Sequence, residues 1–394
     1  MSGRLQMSEK ELKRVKLFEV VKQGHKTLKD VSGQLEISYR QTLRLNAAYR
    51  EKGDIGLIHE NCGKKSSNRL SGELKEKILN IYRSRYSGFG PTFVAEKLAE
   101  EYEINISVSS FRNILIESGE WKKTHNTKIY RSRRERRSRF GELIQFDGSS
   151  HKWFGEDHPS CCLMTMIDDA TNARLGRFFV QETILAGMSI LELWINKYGI
   201  PEALYGDKKN AFVLTHEPTD AELLLGITKP KSHFGWGLDD LGIYMITANS
   251  AQAKGRVERN HGIDQDRLIK ELRLANITTI DDSNAFLDSY YYPKMNKKFV
   301  CKASKTEDAH VPLGDVDLSE ILCYRYDRKV GNDYIVRFEN RLFQILKSEF
   351  LPRSGDKVVV KVKLDGTLSI LWKNNKLPIK EIINTKDDKS EDVA

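Results

Sequence analysis

The sequence predicts a multidomain chain: N-terminal all-α helix-turn-helix units, a central α/β core and a C-terminal small β-barrel. Three observations carry this. Positive charge is concentrated at the front, where residues 1–140 hold 30 Lys and Arg against 17 Asp and Glu, whereas residues 141–394 hold 34 against 38. At Gly141 the hydrophobic pattern changes from helical spacing to strand-like runs. From about Cys323 onward, short strands alternate with turn dipeptides.

The length of 394 residues fits roughly two to four domains with real cores. No apolar run approaches the roughly 20 residues needed to span a bilayer, and "MSGRLQMSEKELKR" has no apolar leader core. A cytoplasmic address without membrane insertion is expected. Cys62, Cys161, Cys162, Cys301 and Cys323 form no C-x-x-C pair, so reduced thiols are expected rather than a disulfide framework. His59 and Cys62 have ligand-like spacing, but no second Cys/His pair in the first 140 residues completes a tetrahedral shell.

Residues 1–60 read as three short helices, "SEKELKRVKLFEVVKQG", "TLKDVSGQLEIS" and "SYRQTLRLNAAYREKG". Ser8 with Glu11 makes a capping box, Gly24 and Gly53 sit at helix ends, and Ser38 can cap the third helix. In a helix-turn-helix that third helix enters the major groove, so Tyr39, Arg40, Gln41 and Arg44 would face DNA while Leu43, Leu45 and Ala47 pack. A small helical bundle with a charged face would share the pattern; the charge asymmetry favours DNA, because Lys and Arg release counterions from phosphates. Residues 68–121 repeat the design with Pro91 after Gly90 and a Ser109/Ser110 cap, and would offer Ser110, Arg112 and Asn113 to DNA.

Residues 122–140 form a basic linker with nine Lys and Arg, among them Arg133, Arg134, Arg136 and Arg137, against the single acid Glu135. Phosphate tracking, a nuclear-import signal and a solvated helix all fit such a run. Residues 141–312 begin with the strands "ELIQFDGS", "CLMTMIDDAT" and "RLGRFFV", then the helix "ETILAGMSILELWINKYG" and the strand "EALYGD". A helix around "HFGWGLDDLGI", the strand "YMITAN" and a long helix complete a mixed α/β layer. Gly237 is unexpected inside a helix. Residues 320–380 carry "YIVRFEN", "RLFQILK", "KVVVKVKL" and "TLSILWKN", with turns at Gly331/Asn332, Ser354/Gly355 and Asp365/Gly366, which a small barrel would close. Residues 381–394 have the composition of a disordered tail.

Three acids stand at the ends of these elements: Asp147 in "IQFDGS", Asp207 closing "ALYGD", and Glu258 on the long helix. Carboxylates that converge at strand ends suit hard cations, and two Mg²⁺ ions about 4 Å apart support phosphoryl transfer. Singly, each acid has a plain explanation as a turn residue or an ion-pair partner of Lys254 or Arg259. Asp168 and Asp169 read as a metal pair or as a hairpin turn. His151, Trp153 and Phe154 could touch DNA or cover the sheet.

In order, "ELIQFDGSSHKWFG", "MIDDAT", "ALYGDKKNAF" and "ANSAQAKGRVERNHGIDQDRLIKEL" resemble the DDE transposases of the retroviral-integrase superfamily, most like ISNCY-type insertion-sequence transposases. The resemblance covers nearly the whole chain. It implies an RNase H-like integrase catalytic core and a triad of Asp147, Asp207 and Glu258 binding Mg²⁺, with Mn²⁺ as substitute. It implies double-stranded DNA as partner, a homodimer or larger synaptic oligomer, and a bacterial, nucleoid-associated setting. If Glu258 is a ligand, Lys254 and His261 on the same helix face would flank the metals and hold the phosphate or adjacent backbone. Gln252 resembles the polar residue before the family's last acid and is assigned substrate contact. A DNA-binding regulator or inactive derivative, and a nuclease without strand transfer, are the alternatives.

Overall fold

The computed structural model describes residues 7–58, 70–122, 135–207, 212, 231–247 and 255–382. The chain divides into two compact units, residues 1–124 and residues 125–394.

The first unit holds two helix triplets. In the first, α1 (Glu9–Lys22), α2 (Leu28–Leu35) and α3 (Tyr39–Lys52) each begin on a hydroxyl cap: Ser8, Thr27 and Ser38. Ser8 and Glu11 form the expected capping box, so two otherwise orphaned N–H groups satisfy each other's side chains. Phe18, Val31 and Leu57 make the core, with Tyr49 stacked on Phe18. The packed face of α3 differs from the sequence expectation. Leu43 is 42% exposed and Ala47 is exposed, whereas Thr42 and Asn46 are buried. Thr42, Leu45, Asn46 and Tyr49 share one stripe at helical spacing; Thr42 enters it because its hydroxyl bonds the Ser38 carbonyl at 3.2 Å.

The second triplet is α4 (Gly72–Arg85), α5 (Pro91–Tyr102) and α6 (Val108–Glu117). Gly90 caps α5 ahead of Pro91, as expected. The cap of α6 is Ser107, not Ser109/Ser110: its hydroxyl accepts the Ser110 N–H at 3.1 Å. Tyr82, Phe93, Leu98 and Phe111 are buried here.

The second unit is built on a five-stranded sheet ordered β3-β2-β1-β4-β5. β1 (Ile144–His151), β2 (Cys161–Asp168) and β3 (Arg174–Phe179) are an antiparallel meander; β4 (Ala203–Gly206) and β5 (Tyr244–Thr247) add parallel to β1. Side chains alternate across a strand. Ile144, Phe146, Cys162, Met164 and Met166 therefore pack on one face with α7 (Ile184–Tyr198) and α8 (His233–Asp240). Leu163 and Phe178 face the other side with α9 (Gly255–Leu274), α10 (Ile280–Phe286), a π-helical turn at Leu287–Tyr291 and α11 (Tyr292–Phe299). Gly237 has its reason in packing: a Cβ there would lie 3.1 Å from the Leu322 side chain, which follows α12 (Leu318–Ile321).

The C-terminal strands form two sheets instead of a closed barrel. β6 (Cys323–Lys329), β9 (Lys357–Lys363), β10 (Leu368–Trp372) and β11 (Asn375–Leu377) form one; β7 (Ile335–Phe338), β8 (Arg341–Ile345) and β12 (Ile379–Ile382) form the other. Both cover a common core of Val336, Phe338, Phe343, Val358, Val360 and Ile370. Pro378 stands between β11 and β12, and lacking an N–H it ends one ladder where the chain crosses to the other sheet. Among the described residues no ladder joins the two sheets, and no helix is long and apolar enough to cross a membrane.

Candidate active site

Asp147 lies in the middle of the central strand, where β1 runs beside the shorter β4. The parallel register pairs Ile144 with Leu204 and Gln145 with Tyr205; continued by two residues, it sets Asp147 alongside Asp207. Because Ile144 faces α7, alternation turns Asp147 to the opposite face, under α9, and Asp207 follows directly on the end of β4. Gly206 permits the close approach, since a Cβ there would meet the Met245 side chain at 2.9 Å and the Phe146 ring at 3.3 Å.

Helix α9 crosses β1 on that face. The Val257 N–H donates to Gln145 Oε1 at 3.1 Å, His261 Nδ1 lies 3.8 Å from Asp147 Oδ2, and Gln265 Nε2 donates to Ser149 Oγ at 3.2 Å. Glu258 falls in the first turn, between the first two of these contacts, and is exposed. Farther along, Leu268 and Leu272 are buried and anchor the helix. The sheet thus sets Asp207 just past the end of the strand beside β1, and α9, which packs on β1, carries Glu258 in its first turn.

Among the described residues no group of three or more His, Cys, Asp and Glu side chains forms a metal cage. The donor chemistry nonetheless fits a hard cation, because all three acids offer carboxylate oxygens and Asp207 and Glu258 are exposed to receive one.

Other candidates fall to different places. Tyr39, Arg40, Gln41 and Arg44 are exposed on the first half of α3, and Ser38, Arg40, Gln41, Arg44 and Leu45 line a shallow open depression. Arg112 and Asn113 are exposed on α6. Arg136 donates to the Ala170 carbonyl at 3.0 Å, and the Arg137 N–H donates to Asp169 at 2.8 Å, so both are held by the second unit's own residues. His261 is only 8% exposed, with its Nε2 2.7 Å from the Thr165 hydroxyl, which turns its ring to the sheet. Arg133, Arg134, Gln252 and Lys254 lie outside the described residues.

Asp168 and Asp169 form a turn and its fastening. Asp168 accepts from the Thr171 N–H at 2.6 Å, the Thr171 hydroxyl at 2.7 Å and the Gly141 N–H at 3.0 Å. Burial pushes its carboxyl upward, against those donors. Asp169 accepts from Gln145 Nε2 at 2.7 Å and pairs with Arg256. Trp153 is fully buried with its indole N–H on the Ser149 carbonyl at 3.0 Å, and Phe154 packs beside it, so these aromatics cover the sheet. His151 is exposed beside the Trp153 ring.

One constellation has no counterpart in the sequence expectations. Arg174, 1% exposed, donates to Asn260 Oδ1 at 2.7 Å and lies 3.6 Å from Asp264, which also accepts from the Tyr291 hydroxyl at 2.8 Å. Burial pushes Asp264 up to about 6, and the Arg174 charge restrains the rise. This network ties β3, α9 and the π-helical turn together. The polar side of α9 at Asn260 and Asp264 was its only sequence signal, and it reads equally well as a solvated face.

No family model matches the chain. It is 35% identical over 380 residues, 95% of its length and 82% of the relative, to y4bF of Sinorhizobium fredii (strain NBRC 101917 / NGR234), a protein named as a transposase. It is 31% identical over 371 residues, 84% of its length and 77% of the relative, to the transposase for insertion sequence IS1202 of Streptococcus pneumoniae. The chain belongs to the transposases that these relatives represent. The HTLV-2 integrase catalytic core solved with magnesium matches 37% of this chain and 82% of its own at 20% identity and a TM-score of 0.29. A simian T-cell lymphotropic virus intasome chain matches 73% and 98% at 14% identity and 0.34. At these TM-scores neither adds to the assignment.

Proposed function

We propose that this transposase binds the terminal inverted repeats of its own insertion sequence and carries out Mg²⁺-dependent cleavage and strand transfer with Asp147, Asp207 and Glu258. The observation that supports it most is the position of Asp147 on β1, beside the parallel strand β4 that Asp207 directly follows, with the helix that bears Glu258 packed on β1. The exposed rows on α3 and α6 would read the element ends, and the basic linker of residues 122–140 would follow phosphates.

The three carboxylates would hold the metal ions. Bound there, Mg²⁺, or Mn²⁺ in its place, would supply charge neutralisation and activation of the attacking oxygen. The protein would align a water for in-line attack on the phosphodiester, releasing a 3'-hydroxyl, and then align that hydroxyl on a target phosphate. Each step exchanges one P–O bond for another, so no oxidant, reductant or covalent enzyme intermediate is required. Positioning and charge stabilisation are the protein's share. Joining two ends calls for two active sites, hence a dimer or larger synapse on double-stranded DNA.

The test is cleavage and joining of a labelled element-end oligonucleotide with Mg²⁺ or Mn²⁺, comparing the wild type with Glu258→Gln at matched DNA binding. Joined products lost in the variant would support the proposal. Binding of a verified cognate end without metal-dependent cleavage by the wild type would sink it and leave a DNA-binding regulator.

A further inference from the structure

Asp147 is backed by a side chain that does not itself belong to the acid triad. Thr165 pairs directly with Asp147 across the β1–β2 ladder. Its hydroxyl lies 3.3 Å from the Asp147 carbonyl oxygen and 2.7 Å from His261 Nε2. The other ring nitrogen, Nδ1, faces Asp147 Oδ2 at 3.8 Å, inside ion-pair range though beyond a direct hydrogen bond. The imidazole therefore stands edge-on between a hydroxyl at one nitrogen and a carboxylate at the other.

We infer that His261 is a positioning residue for Asp147, fixing the direction of its carboxylate for the metal, and not a DNA-contacting residue. The inference rests on the metal-binding role proposed above. A carboxylate facing Nδ1 favours an N–H there, and Nε2 then takes the single Thr165 hydroxyl hydrogen at 2.7 Å in place of the longer 3.3 Å bond to the Asp147 carbonyl; that bond and the facing carboxylate together orient the ring. At 8% exposure it has little surface to offer a phosphate. Helix α9 itself contributes the arrangement, because Glu258 and His261 are three residues apart, and three-residue spacing keeps them on neighbouring parts of one turn. The same turn that presents one acid to solvent thus steadies another from behind. Partners behind a ligand carboxylate are worth about 10–100-fold in metal affinity where they have been removed.

The experiment uses the full chain and Mn²⁺ alone as probe, with binding read by electron paramagnetic resonance and folding by thermal melting. His261→Asn keeps a donor near the Nδ1 position, His261→Gln keeps a polar group near the Nε2 position, and His261→Leu keeps neither. The expected result is Mn²⁺ binding weakened about tenfold or more in His261→Leu, a smaller loss in His261→Asn than in His261→Gln, and DNA binding unchanged in all three. Equal losses in Asn and Gln, or wild-type Mn²⁺ affinity in Leu, would overturn the inference. Should His261→Leu fail to fold, the order of Asn and Gln still decides. Asp147→Asn is the control for the underlying proposal: unchanged Mn²⁺ binding there would overturn the metal role of the acids themselves, whereas loss there with no effect at His261 would overturn only the positioning role.

Discussion

Two sets of acids in the second unit are treated in opposite ways. Asp207 and Glu258 are exposed where β4 ends and α9 begins, and Asp147 keeps part of its surface between them. Asp168, Asp169 and Asp264 are buried, and each is claimed by donors: two residues around a turn, a glutamine and an arginine, a tyrosine and an arginine. A buried carboxylate held by donors from within the fold stabilises that fold. One with exposed surface can also be reached from solvent. The difference lies in the surroundings, since Asp-Asp at 168–169 looks in sequence as much like a metal pair as any of the three.

Substitutions can break this comparison at either side. The largest expected effect is on rate: Glu258→Gln should leave thermal stability unchanged while cleavage falls about a thousandfold, corresponding to several kcal/mol of metal-assisted charge stabilisation, as read by product formation on a labelled element end. Equal loss of stability would move Glu258 into the structural set. Arg174→Met should destabilise by about 3–5 kcal/mol in urea unfolding, because it leaves Asp264 buried without its counter-charge.

That second loss should depend on pH with a definite sign. The folded value of Asp264, raised to about 6 from 3.8, means that its protonated form favours the folded state. The stability it contributes is fully present below its unfolded value and is lost as pH rises through about 6. Without Arg174 the folded value climbs further. The deficit of Arg174→Met relative to the wild type should therefore be smaller at pH 5 than at pH 8, and a flat difference would show that Asp264 does not titrate in this window.

Asp168→Ala should cost about 1–3 kcal/mol by leaving the Gly141 and Thr171 N–H groups without acceptors, with metal-dependent cleavage preserved when the variant is assayed below its melting temperature. A selective loss of metal dependence would place Asp168 among the ligands. The smallest effect sharpens the boundary between the sets. Gln145→Leu removes the strap that joins Asp169 to the Val257 N–H, and should cost about 1 kcal/mol of stability with a modest fall in cleavage as the first turn of α9 loses its seat.

Much of this was legible before any coordinates. Ser8 and Ser38 announce their helices because a hydroxyl before a helical run has a specific job to do, and the mixed sheet followed from three apolar runs separated by turns and then strands alternating with helices. Asp207 and Glu258 stand at a strand end and a helix start as expected, whereas Asp147, expected at a strand end, lies within β1, which runs on to His151. Packing choices were less visible. Hydrophobicity assigns the inward face of α3 to Leu43, Leu45 and Ala47; Leu45 does pack, yet the stripe runs through Thr42 and Asn46 because helical phase, set by Leu45 and Tyr49, outranks the polarity of two side chains. Arg174, Asn260 and Asp264 are polar residues that read as surface until the fold closes over them. The barrel expectation failed at Pro378, whose consequence depends on which ladder the chain is leaving. Counting charge by halves also hid a second basic segment, since residues 320–380 hold 13 Lys and Arg against 7 Asp and Glu.

Helix α9 makes remote packing matter to chemistry. It is held near its start by buried Val257, Asn260, His261 and Asp264 and farther along by Leu268 and Leu272, the last pair beginning roughly 15 Å from Glu258 at 1.5 Å per residue. If Glu258 has the catalytic role proposed above, a shift of about 1 Å passed on from either set of anchors is enough to reduce catalysis about a hundredfold. Selection on the shape of residues such as Leu268, Phe178 and Tyr291 would then be selection on where a carboxylate points.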